Sequence, residues 1–199
     1  MAKPAIQTLR AGQDRVFISD AARNLALVVG GSLLVALCAR ITIPIPGTPV
    51  PLTVQNFAVL LVGLLLGSRR GFAALALYLA EGAAGMPVFS PVSALGPGGI
   101  AHLFGATGGF LLAYPLVAWV AGYVMEHGRR KNFARAALGG LLGEVVLFSS
   151  GLAWLAVLTH SVVQAFRWGL YWFLFAEIIK VMMAAGIASR WQRRSNAQQ

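Results

Sequence analysis

Residues 43–89 read IPIPGTPVPLTVQNFAVLLVGLLLGSRRGFAALALYLAEGAAGMPVF. Prolines come first, then an apolar run over 52–68, the basic pair Arg69 and Arg70, a second apolar run over 71–88, and proline again. Proline cannot continue a helix. A helix crossing ~30 Å of hydrocarbon needs about 20 apolar residues. The segment therefore predicts two short membrane helices, hinged at a basic turn and bounded by irregular backbone. The same alternation extends in both directions. Apolar runs near 22–43, 52–68, 71–88, 102–124, 133–158 and 168–189 predict six transmembrane helices in a compact all-α bundle. The organisation that follows is an N-terminal cytoplasmic segment (1–21), a transmembrane domain (22–189) and a basic cytoplasmic tail (190–199).

Composition supports this reading. Of the 199 residues, 58% are hydrophobic and 11% charged, whereas a soluble domain carries about 25% charge. So few charges cannot cover the exterior of a water-soluble fold of this size. The surplus of 16 Lys and Arg over 6 Asp and Glu does not gather on one face, so it does not read as a nucleic-acid surface. It falls in clusters between the apolar runs: Lys3, Arg10, Arg15 and Arg23; Arg69 and Arg70; Arg129, Arg130, Lys131 and Arg135; Arg190, Arg193 and Arg194. With both termini cytoplasmic, these clusters place 13 of the 16 basic residues inside. Arg40 and Arg167 remain outside, and Lys180 lies within a span. This is the positive-inside pattern of a multi-pass protein of the cell (inner) membrane. The N-terminus lacks the apolar core and cleavage site of a signal peptide. Cys38, alone in an apolar stretch, reads as a buried small residue.

Seven of the nine prolines (Pro44, Pro46, Pro49, Pro51, Pro87, Pro91 and Pro97) lie in or beside the connections 43–51 and 87–99. Irregular backbone is tolerated at membrane depth only where protein or a water-filled cavity covers it. Both connections fall on the outer side, so they predict loops capping an outward-facing pocket.

Ionisable side chains within spans are costly and usually face the bundle interior. Four qualify: Glu81, Glu144, Glu177 and Lys180. Glu177 and Lys180 are three residues apart, hence on one helix face and within reach of each other. A buried ion pair is a poor source of stability, which favours a binding role. Glu81 and Glu144 either join the site or hydrogen-bond within the bundle. Thr53, Gln55 and Asn56 open the second span below the proline loop, where they either line a pocket or cap the helix. Trp168, Tyr171, Trp172, Phe173 and Phe175 read as an interfacial belt, with some rings free to pack on an apolar ligand. Ala22, Ala26 and Gly30 form a small-residue stripe that lets another helix approach closely, in this chain or in a partner. Gly105, Gly108 and Gly109 open the fourth span and permit close packing or approach to a ligand.

Several chemistries are missing from the sequence. No phosphate loop, HExxH or paired Cys/His metal spacing occurs, so no enzyme, cofactor or metal is expected. His160 next to Ser161 is too common a pair to indicate a hydrolase. His102 and His127 read as loop or helix-end residues. The residues alone leave a binding subunit driven by an external ATPase and a stand-alone proton-coupled carrier of a small vitamin-like solute, with Glu81 or Glu144 as relay, both open.

The 43–89 segment resembles the BioY family, the biotin-specific S components of energy-coupling factor transporters. The matching positions are Pro49, Val50, Pro51, Thr53, Gln55, Gly67, Arg69, Gly71, Tyr78, Leu79, Gly82, Gly85, Pro87, Val88 and Phe89. HLFGATGGFLLAYP (102–115) is similar to a further family block, with Ala106 and Phe110 as departures. FAEIIKVMMAA (175–185) is similar to the last, with Glu177 in place of Asp and Lys180 in register. The resemblance implies six transmembrane helices and a biotin site near the outer face. It implies Glu177 and Lys180 as the acidic and basic ligand contacts, beside Thr53, Gln55, Tyr78, Phe89 and Gly108. It also implies docking of the Ala22, Ala26 and Gly30 face on a transmembrane coupling protein that works with two ATPase subunits, and toppling of the S component in the lipid.

Overall fold

The computed structural model describes residues 3–92, 97–128 and 132–197, with side chains from residue 20 to residue 194 within those ranges. The basic side chains of Lys3, Arg10, Arg15, Arg129, Arg130 and Lys131 lie outside the described set. Helix α1 (Lys3–Cys38) leads into a two-stranded antiparallel ribbon, β1 (Thr42–Ile43) and β2 (Leu52–Thr53). Thr42 stands opposite Thr53 and Ile43 opposite Leu52. There follow α2 (Gln55–Leu66), α3 (Ser68–Ala83), a 3₁₀ turn (Ile100–Phe104), α4 (Gly108–Glu126), α5 (Phe133–Thr159), α6 (Val162–Gly169) and α7 (Leu174–Ala197). Helix α1 runs unbroken through the expected boundary at 21–22.

Among the described residues, Asp20–Cys38, Gly108–Glu126 and Phe133–Thr159 are long and apolar enough to cross a membrane. Val162–Gly169 with Leu174–Arg194, bent by 49°, makes a fourth if counted as one broken span. These three or four are fewer than the six spans expected, and the difference lies in length. The 12 residues of α2 rise about 18 Å and the 16 of α3 about 24 Å, both short of the hydrocarbon thickness. The expected start of the fourth span is a 3₁₀ turn, with Gly105 in the linker before α4. The expected sixth span contains a break at 170–173.

The core is built around α4, which packs against α2, α3 and α5. The α2–α4 crossing is close because glycines form it. A Cβ on Gly63 would lie 2.5 Å from the Ala118 carbonyl oxygen, and one on Gly122 would lie 2.5 Å from the Gly67 carbonyl carbon. Gly67 takes a φ of 83° between α2 and α3, a conformation that L side chains avoid. Glu126 then caps α3, accepting from Ser68 N at 2.9 Å and from Ser68 Oγ at 2.5 Å. Arg135 Nε donates to Val124 O at 2.6 Å. The α2–α3 turn, the end of α4 and the start of α5 therefore share one end of the bundle, together with Arg69, Arg70 and Arg135. Large apolar side chains such as Leu37, Val157 and Phe175 are exposed on the outside, as suits a surface solvated by lipid rather than water. Cys38 is half-buried, more open than expected.

Candidate functional site

At the end of the bundle opposite the Gly67 turn, three helices bring polar groups together. Glu177, in the first turn of α7, is buried, with 6% exposure. Lys180 Nζ donates to its Oε1 at 2.6 Å, one turn along the helix. Asn56, in the first turn of α2, donates from Nδ2 to Glu177 Oε2 at 2.7 Å and to Glu144 Oε1 of α5 at 2.7 Å. One amide thus joins two carboxylates, and a lysine balances one of them. Asn56 Oδ1 and Glu144 Oε2 are buried with no hydrogen-bond partner among the described residues.

Beside this cluster lies a small cavity of about 60 Å³. The ribbon contributes Val50, Pro51 and Thr53, and the second proline connection contributes Ser90. Helix α2 presents Gln55 and Asn56, and α7 presents Glu177. The walls are largely aromatic: Phe110 and Tyr114 from α4, Phe148 from α5, and Phe173 from the break before α7. His102 and Thr107 close one side, with Thr107 Oγ1 3.4 Å from His102 Nε2. The proline loop is tied across the cavity, because Thr48 Oγ1 donates to the Trp168 carbonyl at 2.9 Å and accepts from Val50 N at 3.1 Å. Such a site suits a small, mostly apolar solute with a few hydrogen-bonding groups at one end.

Of the residues expected from sequence, Thr53, Gln55 and Glu177 line the cavity directly. The other four stand behind it. Lys180 reaches the cavity through Glu177. Tyr78 accepts from Gln55 Nε2 at 2.9 Å and donates to the Val88 carbonyl at 3.0 Å. Phe89 packs edge-on against Tyr78, with ring centroids 5.5 Å apart. Gly108 seats the start of α4 against the 3₁₀ turn, where a Cβ would lie 2.0 Å from the Leu103 carbonyl oxygen. Glu81 does not line the cavity and accepts from Ser32 Oγ of α1. Ala22, Ala26 and Gly30 are exposed, and a Cβ on Gly30 would have nothing within 4 Å. The stripe therefore has no partner helix among the described residues. Tyr171, Trp172 and Phe175 are exposed as a belt requires, whereas Phe173 is buried at the cavity. Ser161 caps α6, accepting from Gln164 N at 3.2 Å, and His127 ends α4.

Sequence reasoning missed His102, which is 2% exposed, and the rings of Phe110, Tyr114 and Phe148. It also missed the bridge from Asn56 to Glu144. The only local signal for that bridge was a second amide next to Gln55. Among the described residues, no group of three or more His, Cys, Asp or Glu is placed to hold a metal ion.

Apolar helices around a mostly apolar cavity, with one acid–base pair at its floor, define a membrane-embedded solute-binding protein. The BioY family model matches residues 8–197, and the chain belongs to that family. It is 39% identical over 171 residues to the probable biotin transporter BioY of Pyrococcus horikoshii, covering 86% of this chain and 97% of that one. It is 33% identical over 167 residues to the biotin transporter BioY of Thermotoga maritima, covering 84% and 95%. The fold is similar to a crystal structure of the S-component for biotin from an ECF-type ABC transporter. That match has a TM-score of 0.78 at 21% identity and covers 88% of this chain and 93% of the other. The family is one of transporter components, not enzymes.

Proposed function

We propose that this chain is the biotin-binding S component of an ATP-driven energy-coupling factor transporter, loading biotin from outside and delivering it inward with a coupling module. The observation that carries this reading is the Glu177–Asn56–Lys180 cluster at the floor of an aromatic-walled cavity. Biotin has a ureido ring with two N–H donors and one carbonyl, joined to an apolar bicycle and a chain ending in carboxylate. Glu177 accepts from a ureido N–H, and charged partners make the stronger hydrogen bonds. Lys180 pairs with Glu177 and supplies a cation on the carbonyl's side of the site. Phe110, Tyr114, Phe148 and Phe173 enclose the apolar bicycle.

In this reading six helices traverse the inner membrane, with α2 and α3 as short members and both termini cytoplasmic. The basic turn at Arg69 and Arg70 faces inward, in keeping with the positive-inside pattern. The cavity end, with its two proline loops, faces outward. The open Ala22, Ala26 and Gly30 face receives the transmembrane coupling protein, and two ATPases supply the energy through it.

The test is labelled-biotin binding by purified protein beside Glu177→Ala and Lys180→Ala, with co-purification of coupling subunits. Binding by the wild type that both variants lose supports the site. Undiminished binding in both rejects it. Uptake without any ATPase that a proton uncoupler abolishes would favour a stand-alone carrier instead.

A further inference from the structure

We propose that Glu144 is a positioning residue for ligand recognition. With Glu177, it turns the side-chain amide of Asn56 so that Oδ1 is left to accept an N–H of the ligand. The proposal rests on the biotin reading above and adds a residue that does not line the cavity.

A side-chain amide has a donor end and an acceptor end of nearly equal shape, and its surroundings decide which way it points. A carboxyl oxygen that faces an N–H accepts from it, whether as a carboxylate or as the carbonyl oxygen of the acid. Glu144 Oε1 and Glu177 Oε2, each 2.7 Å from Asn56 Nδ2, therefore take both amide protons and hold the donor end toward α5 and α7. The acceptor end is the only part of the amide left over. Asn56 is 3% exposed and lines the cavity, and its Oδ1 has no partner among the described residues. A buried acceptor without a donor is costly, so Asn56 Oδ1 is placed to accept an N–H. A cyclic urea presents two such groups on opposite sides of its carbonyl. One suits Glu177, and the other suits Asn56 Oδ1.

Glu144 itself comes from the middle of α5 and is 7% exposed. It is absent from the cavity lining and borders a separate apolar groove between α5 and the α6–α7 break. Its effect on the ligand is therefore indirect, and Asn56 is the cavity-lining residue to which it is hydrogen-bonded. Removing it frees one amide proton and lets Asn56 rotate, which weakens a contact that Glu144 never makes.

The experiment is a binding cycle on the full-length chain in lipid nanodiscs. The ligands are biotin and its two lactam analogues, each with one ureido N–H replaced by CH₂. Against the wild type, both analogues are expected to bind about tenfold or more weakly, the scale of leaving a buried acceptor unpaired. In Glu144→Leu, biotin weakens, and the penalty for one of the two analogues shrinks to within about threefold while the other keeps its full penalty. Asn56→Leu must show the same selective loss. Glu144→Gln, which keeps an acceptor in place, stays within about threefold of wild type for biotin. A Glu144→Leu variant that weakens biotin and both analogues by the same factor acts through packing alone, and the proposal falls. It falls equally if Asn56→Leu discriminates between the analogues as the wild type does, a comparison that stands even if Glu144→Leu does not fold. A wild-type chain that binds no biotin overturns the functional reading as well, so the two failures are distinguishable.

Discussion

Lys180 Nζ lies 2.6 Å from Glu177 Oε1, one turn along α7, while the opposite oxygen of the same carboxylate is held by Asn56 at 2.7 Å. The lysine side chain is 13% exposed and the glutamate 8%. Each oxygen thus has its own donor, and the carboxylate is fixed from two helices.

Lys180→Met should therefore harm folding as well as binding. It leaves a buried carboxylate without its counter-ion, a change that costs about 3–5 kcal/mol in buried pairs. The double variant Glu177→Gln/Lys180→Met removes both charges and should recover most of the lost stability without recovering biotin binding. Thermal unfolding in detergent, run beside equilibrium binding, reads both effects. A double variant no more stable than Lys180→Met would refute the ion-pair account.

Tyr78→Phe should separate the support of the site from the site itself. The hydroxyl links Gln55 Nε2 to the Val88 carbonyl within a buried environment. Its loss strands both groups, at about 1–3 kcal/mol. We expect a lower unfolding temperature and a loss of affinity smaller than that of Glu177→Ala. Wild-type stability in Tyr78→Phe would mean that the link is not formed.

Two glycines predict opposite outcomes for the same substitution. Gly63→Val pushes side-chain atoms into the Ala118 carbonyl, where even a Cβ lies at 2.5 Å, so α2 must move off α4. Yield and thermal stability should fall, and binding with them, because α2 carries Gln55 and Asn56. Gly30→Val meets open space and should leave folding and biotin binding intact while reducing co-purification with a coupling subunit. A Gly30→Val chain that unfolds early would place a helix of its own against that face.

Glu126→Ala should loosen the first turn of α3. The carboxylate satisfies Ser68 N and Ser68 Oγ at a helix start, and losing such a cap costs about 1 kcal/mol. Faster amide hydrogen exchange confined to the start of α3 is the expected signature. Unchanged exchange there would show that water replaces the cap without loss.

Much of this was legible because membrane helices announce themselves locally. The apolar run at 133–158 became Phe133–Thr159 almost residue for residue, since no proline interrupts it. The spacing of Glu177 and Lys180 carried their contact, because i and i+3 meet on any helix. The break at 170–173 was not legible, as its residues are apolar and aromatic like the helix on either side. Nor was the meeting of Asn56 with Glu144, which are 88 positions apart. Packing of both helices on α4 and α7 brings them together, and the pattern along one helix does not encode its neighbour. The burial of His102, read as a loop or helix-end residue, was not legible for the same reason. Its burial comes from a 3₁₀ turn folded under Phe89, with ring centroids 4.8 Å apart.

The proline loop is moored to the rest of the protein above the cavity by the Thr48 hydroxyl on the Trp168 carbonyl. A single neutral bond of this kind, readily exchanged for one with water, is worth only about 1 kcal/mol. Val50, buried in the core, and Ile45, packed against it, hold the loop as well, so lifting it exposes apolar surface in addition to breaking that bond.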